Sequence, residues 1–179
     1  MKFVTEKAKI VESLQNAAAI AERRQTIPIL ANLRLKIIDE RLEVTATDLE
    51  IQIKTFSDLL EIKEEGETTV SARKMSELCR SLPDNENVEF SLDNGKLSVS
   101  SRNFNADFAT ISSDDFPEIE INEEQRPISI DSAKFKRLLT KTSFSMASQD
   151  VRYYLNGMLL EIGAGKINGV ATDGHRLAF

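Results

Sequence analysis

The chain has 179 residues, 41% of them hydrophobic and 29% charged, with a net charge of -6, a single histidine and a single cysteine. That length admits one or two domains. The lone Cys79 excludes a disulfide framework and fits a reducing compartment, and no stretch nears the ~20 apolar residues that span a membrane, so a cytoplasmic, membrane-free protein is expected.

Taken in chain order, Lys2 to Val4 reads as a short strand, and Thr5 as the cap of a helix running to about Arg23. Val11, Leu14, Ala18 and Ala21 form its apolar stripe. Pro28 opens a region of strands. Leu33, Leu35 and Ile37 alternate with Arg34 and Lys36, a turn falls at Asp39-Glu40, and Leu42, Val44 and Ala46 alternate in turn. Leu49, Ile51 and Ile53 continue the period of two. Ser71 caps a second helix that Pro83 stops after Leu82. Strands 88–92 and 97–101 flank Asp93-Asn94-Gly95, a tight hairpin turn, and Phe104, Ala106 and Phe108 mark one more strand. Acidic residues crowd 114–124 as a linker. A second cycle follows: an Asp131 cap, a helix from about Ser132 to Ala147, a strand 155–162, a turn at Gly163 and a strand 167–171.

The second cycle echoes the first. Ala8-Lys9-Ile10 with Leu14 returns as Ala133-Lys134-Phe135 with Leu139, an offset of 125. Asn32 is answered by Asn156 at 124, and Ala46-Thr47-Asp48 by Ala171-Thr172-Asp173 at 125. A duplicated α+β unit of antiparallel strands with helices on one face is expected. On that register residues 1–124 make a complete first domain and 128–179 the truncated start of a second. The second is the weaker half, because a unit that small hides only about 60% of its unfolded surface.

Charge is sorted by element. Helix candidates 7–24, 71–81 and 131–149 hold eleven basic residues against four acidic ones, so the rest of the chain is strongly acidic. Basic helices on an acidic body can offer a local positive surface to a polyanion, with Arg73 and Arg80 on one helical face. There is no Gly-rich phosphate loop, and one histidine with one cysteine cannot build a zinc cluster. Glu64-Glu65 and Asp114-Asp115 match no calcium loop and read as solvated. Asp173 and His175 could form an acid–base pair of a hydrolase, though a turn followed by a surface imidazole suits Asp173-Gly174-His175 better. Gln149, Arg152, Tyr153 and Tyr154 join an amide, a guanidinium and two rings that can stack on bases or donate to phosphate. If they sit on a strand, one tyrosine points inward.

At these residues the sequence resembles the bacterial DNA polymerase III β-subunit, or sliding-clamp, family. The similarity covers the whole chain: MKF at the start, TIPILANL at 26–33, TDLE at 47–50, SARKMSELCRSLP at 71–83, DDFPE at 114–118, FSMASQDVRYYLNGMLLE at 144–161 and VATDGHRLA at 170–178. The resemblance implies a DNA-clamp fold of three similar domains, the third absent here. It further implies a head-to-tail homodimer ring around duplex DNA, without catalysis or cofactor, that tethers the replicative polymerase. By position, Arg24, Arg73, Gln149, Tyr153 and Tyr154 match residues that touch DNA, duplex or the single-stranded template near a primer junction. Leu155, Thr172, Gly174, His175, Arg176 and Leu177 match the near side of a cleft for short linear motifs of polymerase and clamp-loader subunits. The strand around Ser100 to Phe108 resembles the dimer edge. A duplex-binding module that grips DNA without encircling it is the alternative that the charge pattern alone leaves open.

Overall fold

Strand β1 (Lys2–Glu6) buries Phe3 completely, its ring stacked 4.7 Å from that of Phe90. The computed structural model describes residues 1–21, 27–102, 104–119, 128–163 and 165–179. Helix α1 (Lys7–Ala18) begins one residue later than the Thr5 cap predicts. Thr5 stays in the strand and donates to the Asp58 carbonyl at 3.1 Å, while Glu6 holds the N-cap place without a side-chain bond. Its buried apolar stripe is Ile10, Leu14 and Ala17, with Val11 and Ala18 at the margin and Ala21 beyond the helix end, so the helix is rotated from the predicted stripe. The helix stops at Ala18, short of the predicted end at Arg23, which itself lies outside the described residues.

After a 3-10 turn at Pro28–Ala31 come β2 (Asn32–Ile38), β3 (Arg41–Thr47) and β4 (Gln52–Asp58). Asp39 and Glu40, with φ of 47° and 60°, make the two-residue turn that matches strand twist. Two predictions fail here. Leu49 and Ile51 are half exposed in a loop, because Thr47 and Asp48 bond back to the next backbone groups and end the strand. Arg34 does not alternate outward: it is 7% exposed and paired with Glu43 at 3.2 Å. Strands β5 (Glu61–Glu64), short and charged, and β6 (Glu67–Ser71), short and rich in threonine, were not expected. Helix α2 (Ala72–Ser81) follows Ser71, which makes no capping bond. Hairpin β7 (Asn87–Asp93) and β8 (Lys96–Ser101) closes on Asn94 and Gly95, both at positive φ, and β9 (Phe104–Ile111) completes the series.

Among the described residues of the unit Met1–Ile121, nine strands form one antiparallel sheet ordered β4-β3-β2-β6-β9-β8-β7-β1-β5. Helices α1 and α2 pack against each other, and Ser13 Oγ on α1 donates to the Phe56 carbonyl of β4 at 3.0 Å. Leu33, Leu35, Val44, Val70, Met75, Phe90, Leu97 and Val99 are buried between these layers. Of the stretch expected as the dimer edge, β8 lies between β7 and β9, whereas β9 meets β6 only at Thr110 and Ile111, so among the described residues the outer side of Phe104–Ala109 pairs with no strand. Residues 114–119 of the predicted linker instead dock on this unit; a 3-10 turn at Ser113–Asp115 leads to a buried Phe116.

The unit Asn122–Phe179 holds α3 (Ser132–Thr142), β10 (Leu159–Gly163), β11 (Lys166–Thr172) and β12 (Leu177–Ala178) in a sheet ordered β10-β11-β12. Asp131 caps α3, accepting from the Lys134 N–H at 2.8 Å. The predicted helix to Ala147 and strand from Leu155 both give way to 3-10 turns, Ser143–Ser145 and Tyr153–Asn156. Helix α3 approaches β11 at Gly169, where a Cβ would meet the Leu138 side chain at 3.2 Å. No helix among the described residues is long and apolar enough to cross a membrane.

Candidate nucleic-acid and peptide-docking site

Helices place most of the described basic side chains in water, but not all. On α2, Arg73, Lys74 and Arg80 are exposed, as are Lys134, Lys136, Arg137 and Lys141 on α3. Arg73 Nε lies 2.8 Å from Glu77 Oε1, one turn along, and that partner raises its pKa. Lys7 departs from the expected sorting: nearly covered, it donates to Asp84 at 2.8 Å and to the Leu82 carbonyl, so it clamps the end of α2. Arg24 lies outside the described residues.

The loop 149–156 is held by two short-range braces. Asn156 and Asp150 exchange two bonds, Asp150 N–H to Asn156 Oδ1 and Asn156 Nδ2 to the Asp150 carbonyl, each 3.0 Å. Asp150 then grips Arg152 through Nε at 3.0 Å and Nη2 at 2.9 Å. Arg152 draws the Asp150 carboxyl down to about 2, with its own backbone N–H assisting. Gln149 is exposed at φ 58°. Tyr153 and Tyr154 are 82% and 67% exposed, rings edge to face at 6.0 Å. The expectation that one of them packs inward fails because strand alternation does not apply to a 3-10 turn.

The Thr172–Leu177 turn sits beside this loop. Thr172 Oγ1 accepts from Gly174 N–H at 3.0 Å and donates to the Arg176 carbonyl at 2.7 Å. Asp173 Oδ1 accepts from the backbone N–H groups of His175 and Arg176, each at 2.9 Å, and Oδ2 pairs with Arg176 Nε. Those N–H bonds, with Arg176, lower the Asp173 pKa. The carboxylate thus serves the turn, which weakens the acid–base reading of Asp173 and His175. Gly174, at φ 89°, faces the Arg152 guanidinium, 3.4 Å from where a Cβ would stand. Arg176 lies over the Phe144 ring at 5.7 Å, and Leu177 pairs with Thr172 across β11–β12. Leu155 is half-buried, its N–H bonded to the Arg152 carbonyl at 2.8 Å. The structure therefore brings the loop and the turn together, with Arg152 between them. Sequence reading grouped Arg152 with the DNA-facing loop but not with the Thr172–Leu177 turn that it joins, and it left Phe144 out; the acid–base spacings Asp150/Arg152 and Asp173/Arg176 were the available signal.

The same turn occurs in the first unit. Thr47 Oγ1 accepts from Leu49 N–H at 3.1 Å and donates to the Ile51 carbonyl at 2.9 Å. Asp48 Oδ1 accepts from Glu50 N–H at 3.0 Å and Ile51 N–H at 2.7 Å. Leu49, at φ 78°, stands where Gly174 stands.

An antiparallel sheet backed by helices, followed by a unit that repeats its hydrogen-bonded turn, defines an α+β protein of the DNA-clamp fold. Comparison with known proteins agrees. Residues 1–120 match the model of the DNA polymerase III beta subunit N-terminal domain and residues 129–179 that of its central domain, so the chain belongs to the DNA polymerase III beta subunit family. It is 42% identical to the beta sliding clamps of Pseudomonas aeruginosa and Vibrio cholerae, covering 99% of this chain and 48% and 49% of theirs. The chain thus spans about half the length of the relatives it matches. A crystal structure of the P. aeruginosa subunit superposes with a TM-score of 0.95 at 40% identity, covering 99% of this chain and 48% of that one. The Caulobacter crescentus subunit gives 0.92 at 34%, covering 99% and 49%.

Proposed function

We propose that the chain supplies the first domain and part of the second of a sliding clamp, a non-catalytic processivity factor for the replicative DNA polymerase in the cytoplasm. Residues 1–124 and 128–179 are taken as those two domains. The full-length protein closes as a head-to-tail homodimer around duplex DNA. The observation that carries this reading is the successive match of the two family domains to a duplicated fold whose helices hold exposed lysines and arginines.

Retention by encirclement lets each phosphate contact stay weak. Every neutralised phosphate steepens the salt dependence by about 0.9 in log–log slope, so many would stop the ring from sliding. Arg24 and Arg73 are assigned to duplex phosphates. Gln149, Tyr153 and Tyr154 are assigned to the duplex or a nearby single strand, for which exposed rings give sequence-tolerant stacking. Leu155, Thr172, Gly174, His175, Arg176 and Leu177 are assigned to the near wall of a cleft for short linear motifs of polymerase and clamp-loader subunits. There Asp150 and Asp173 hold Arg152 and Arg176 ready, which reduces the ordering cost of binding.

The test uses a clamp-length form of the protein loaded on nicked circular DNA. Cutting the circle is expected to release it, and Arg73→Ala to reduce loading a few-fold without abolishing it. Retention on cut DNA, with a steep salt slope and direct affinity for linear duplex, would show a protein that grips instead.

A further inference from the structure

The internal repeat sets a second copy of the proposed site's turn pair in the first unit, where the chain itself covers it. In the unit Asn122–Phe179 the site is a pair of turns, the 3-10 turn Tyr153–Asn156 and the Thr172–Arg176 turn. In the unit Met1–Ile121 the same pair recurs as the 3-10 turn Pro28–Ala31, which runs into Asn32, and the Thr47–Ile51 turn with its matching four hydrogen bonds. In the first unit Ile29 and Leu30, on the 3-10 turn, are buried in a cluster with Phe116.

Phe116 begins a short extended run that the chain lays over this surface. Pro117 disfavours a helical Phe116, which sits at φ -77° and ψ 119°. The Arg34 guanidinium lies over the Phe116 ring at 5.4 Å and pairs with Glu118, while Lys54 approaches the same carboxylate at 3.6 Å. The Ile119 N–H then donates to the Gln52 side chain at 2.9 Å, one residue beyond the turn and at the position that Leu177 holds in the second copy. The contacts comprise a ring in an apolar seat, a carboxylate on a guanidinium two residues later, and one backbone bond. A peptide ligand makes contacts of this kind, although here the segment is tethered.

We infer that residues 116–119 are an intramolecular ligand occupying the first unit's copy of the peptide site. The site therefore accepts an extended segment with an aromatic residue followed two positions later by a carboxylate. A tethered ligand has an effective concentration on the order of millimolar, so a free peptide cannot compete while the tether holds. The inference takes from the proposed function only the assignment of the second unit's turn pair as a peptide site. Its test reads the first unit alone, so its failure would leave the clamp reading standing, to be judged by the loading experiment.

The test is fluorescence anisotropy with a labelled synthetic peptide of residues 112–119, titrated with the chain and with its double variant F116A/E118A. Saturable binding to the double variant is expected, at least tenfold tighter than to the unvaried chain. It should be lost when the peptide's own phenylalanine is replaced by alanine. A double variant with native circular dichroism that binds no better than the unvaried chain overturns the inference. Should that variant not fold, amide exchange in Glu118→Gln decides. Faster exchange at Phe116 and Ile119, with β2 and β3 unchanged, supports a detachable ligand; parallel loosening of those strands shows a plain part of the core.

Discussion

Cys79 has no exposed surface and lies 3.8 Å from the Met75 sulfur. Burial pushes its thiol up to about 12, with Lys7 opposing weakly. The sign follows from proton counting. Above about pH 9 the unfolded chain releases this proton while the folded one keeps it, so stability falls as pH rises from about 9 toward 12, by at most about 1.4 kcal/mol per pH unit. Native Cys79 is expected to resist a thiol reagent at pH 8 and to react at once in denaturant; rapid labelling of the folded protein would show that this core opens. Arg34 shows what single-residue reading cannot reach. Its strand neighbours alternate as expected, but its guanidinium is sequestered by Glu118, 84 residues away, and no local pattern encodes that pairing. The tyrosines failed for another reason. Their exposure depends on whether residues 153–156 are strand or 3-10 turn, and the hydrophobic period there suits either.

At the scale of elements, turns were legible wherever the backbone alone demands a residue type. Asn94-Gly95 supplies two positive φ values, and Asp131 supplies an oxygen for the α3 N-terminus. Strands β5 and β6 were not, since Glu61–Glu64 and Glu67–Ser71 present no clean alternation and are held by pairing with β1 and β2. The two caps allow a controlled comparison. Asp131→Ala removes an observed bond and is expected to destabilise α3 by about 1 kcal/mol. Ser71→Ala removes a side chain that caps nothing and is expected to cost only a few tenths as much. Amide exchange across 132–142 and 72–81 checks both. Equal losses would mean that the Ser71 hydroxyl caps α2 in solution. The candidate site divides along the same line: the Thr172-Asp173-Gly174 turn was readable as a turn, whereas the placement of Arg152 against Gly174 depends on how two separated loops fold together.

At the scale of the molecule, the two units are built to different depths. The first buries an extensive core that includes both Phe3 and Phe90, while among the described residues of the second Ala171 is the buried apolar side chain. The side chains of β10 are exposed throughout, Leu159 and Ile162 among them. An open groove of about 810 Å³ runs between α3 and the β10–β11 hairpin, lined by Ile128, Ile130, Phe135, Leu138 and Ile167. Local stability follows buried apolar contact, and at ~25 cal/mol per Å² an unsealed groove forgoes most of what its apolar walls could contribute. The 179-residue chain is therefore expected to lose its second unit first. Amides of β10 and β11 should exchange at least tenfold faster than those of β2, β3 and β7, and urea should unfold the chain in two steps, with the first-unit core surviving longer. A single transition with uniform protection would show that something besides the described contacts seals the groove, and analytical ultracentrifugation at several concentrations would then show whether a second copy of the chain does so.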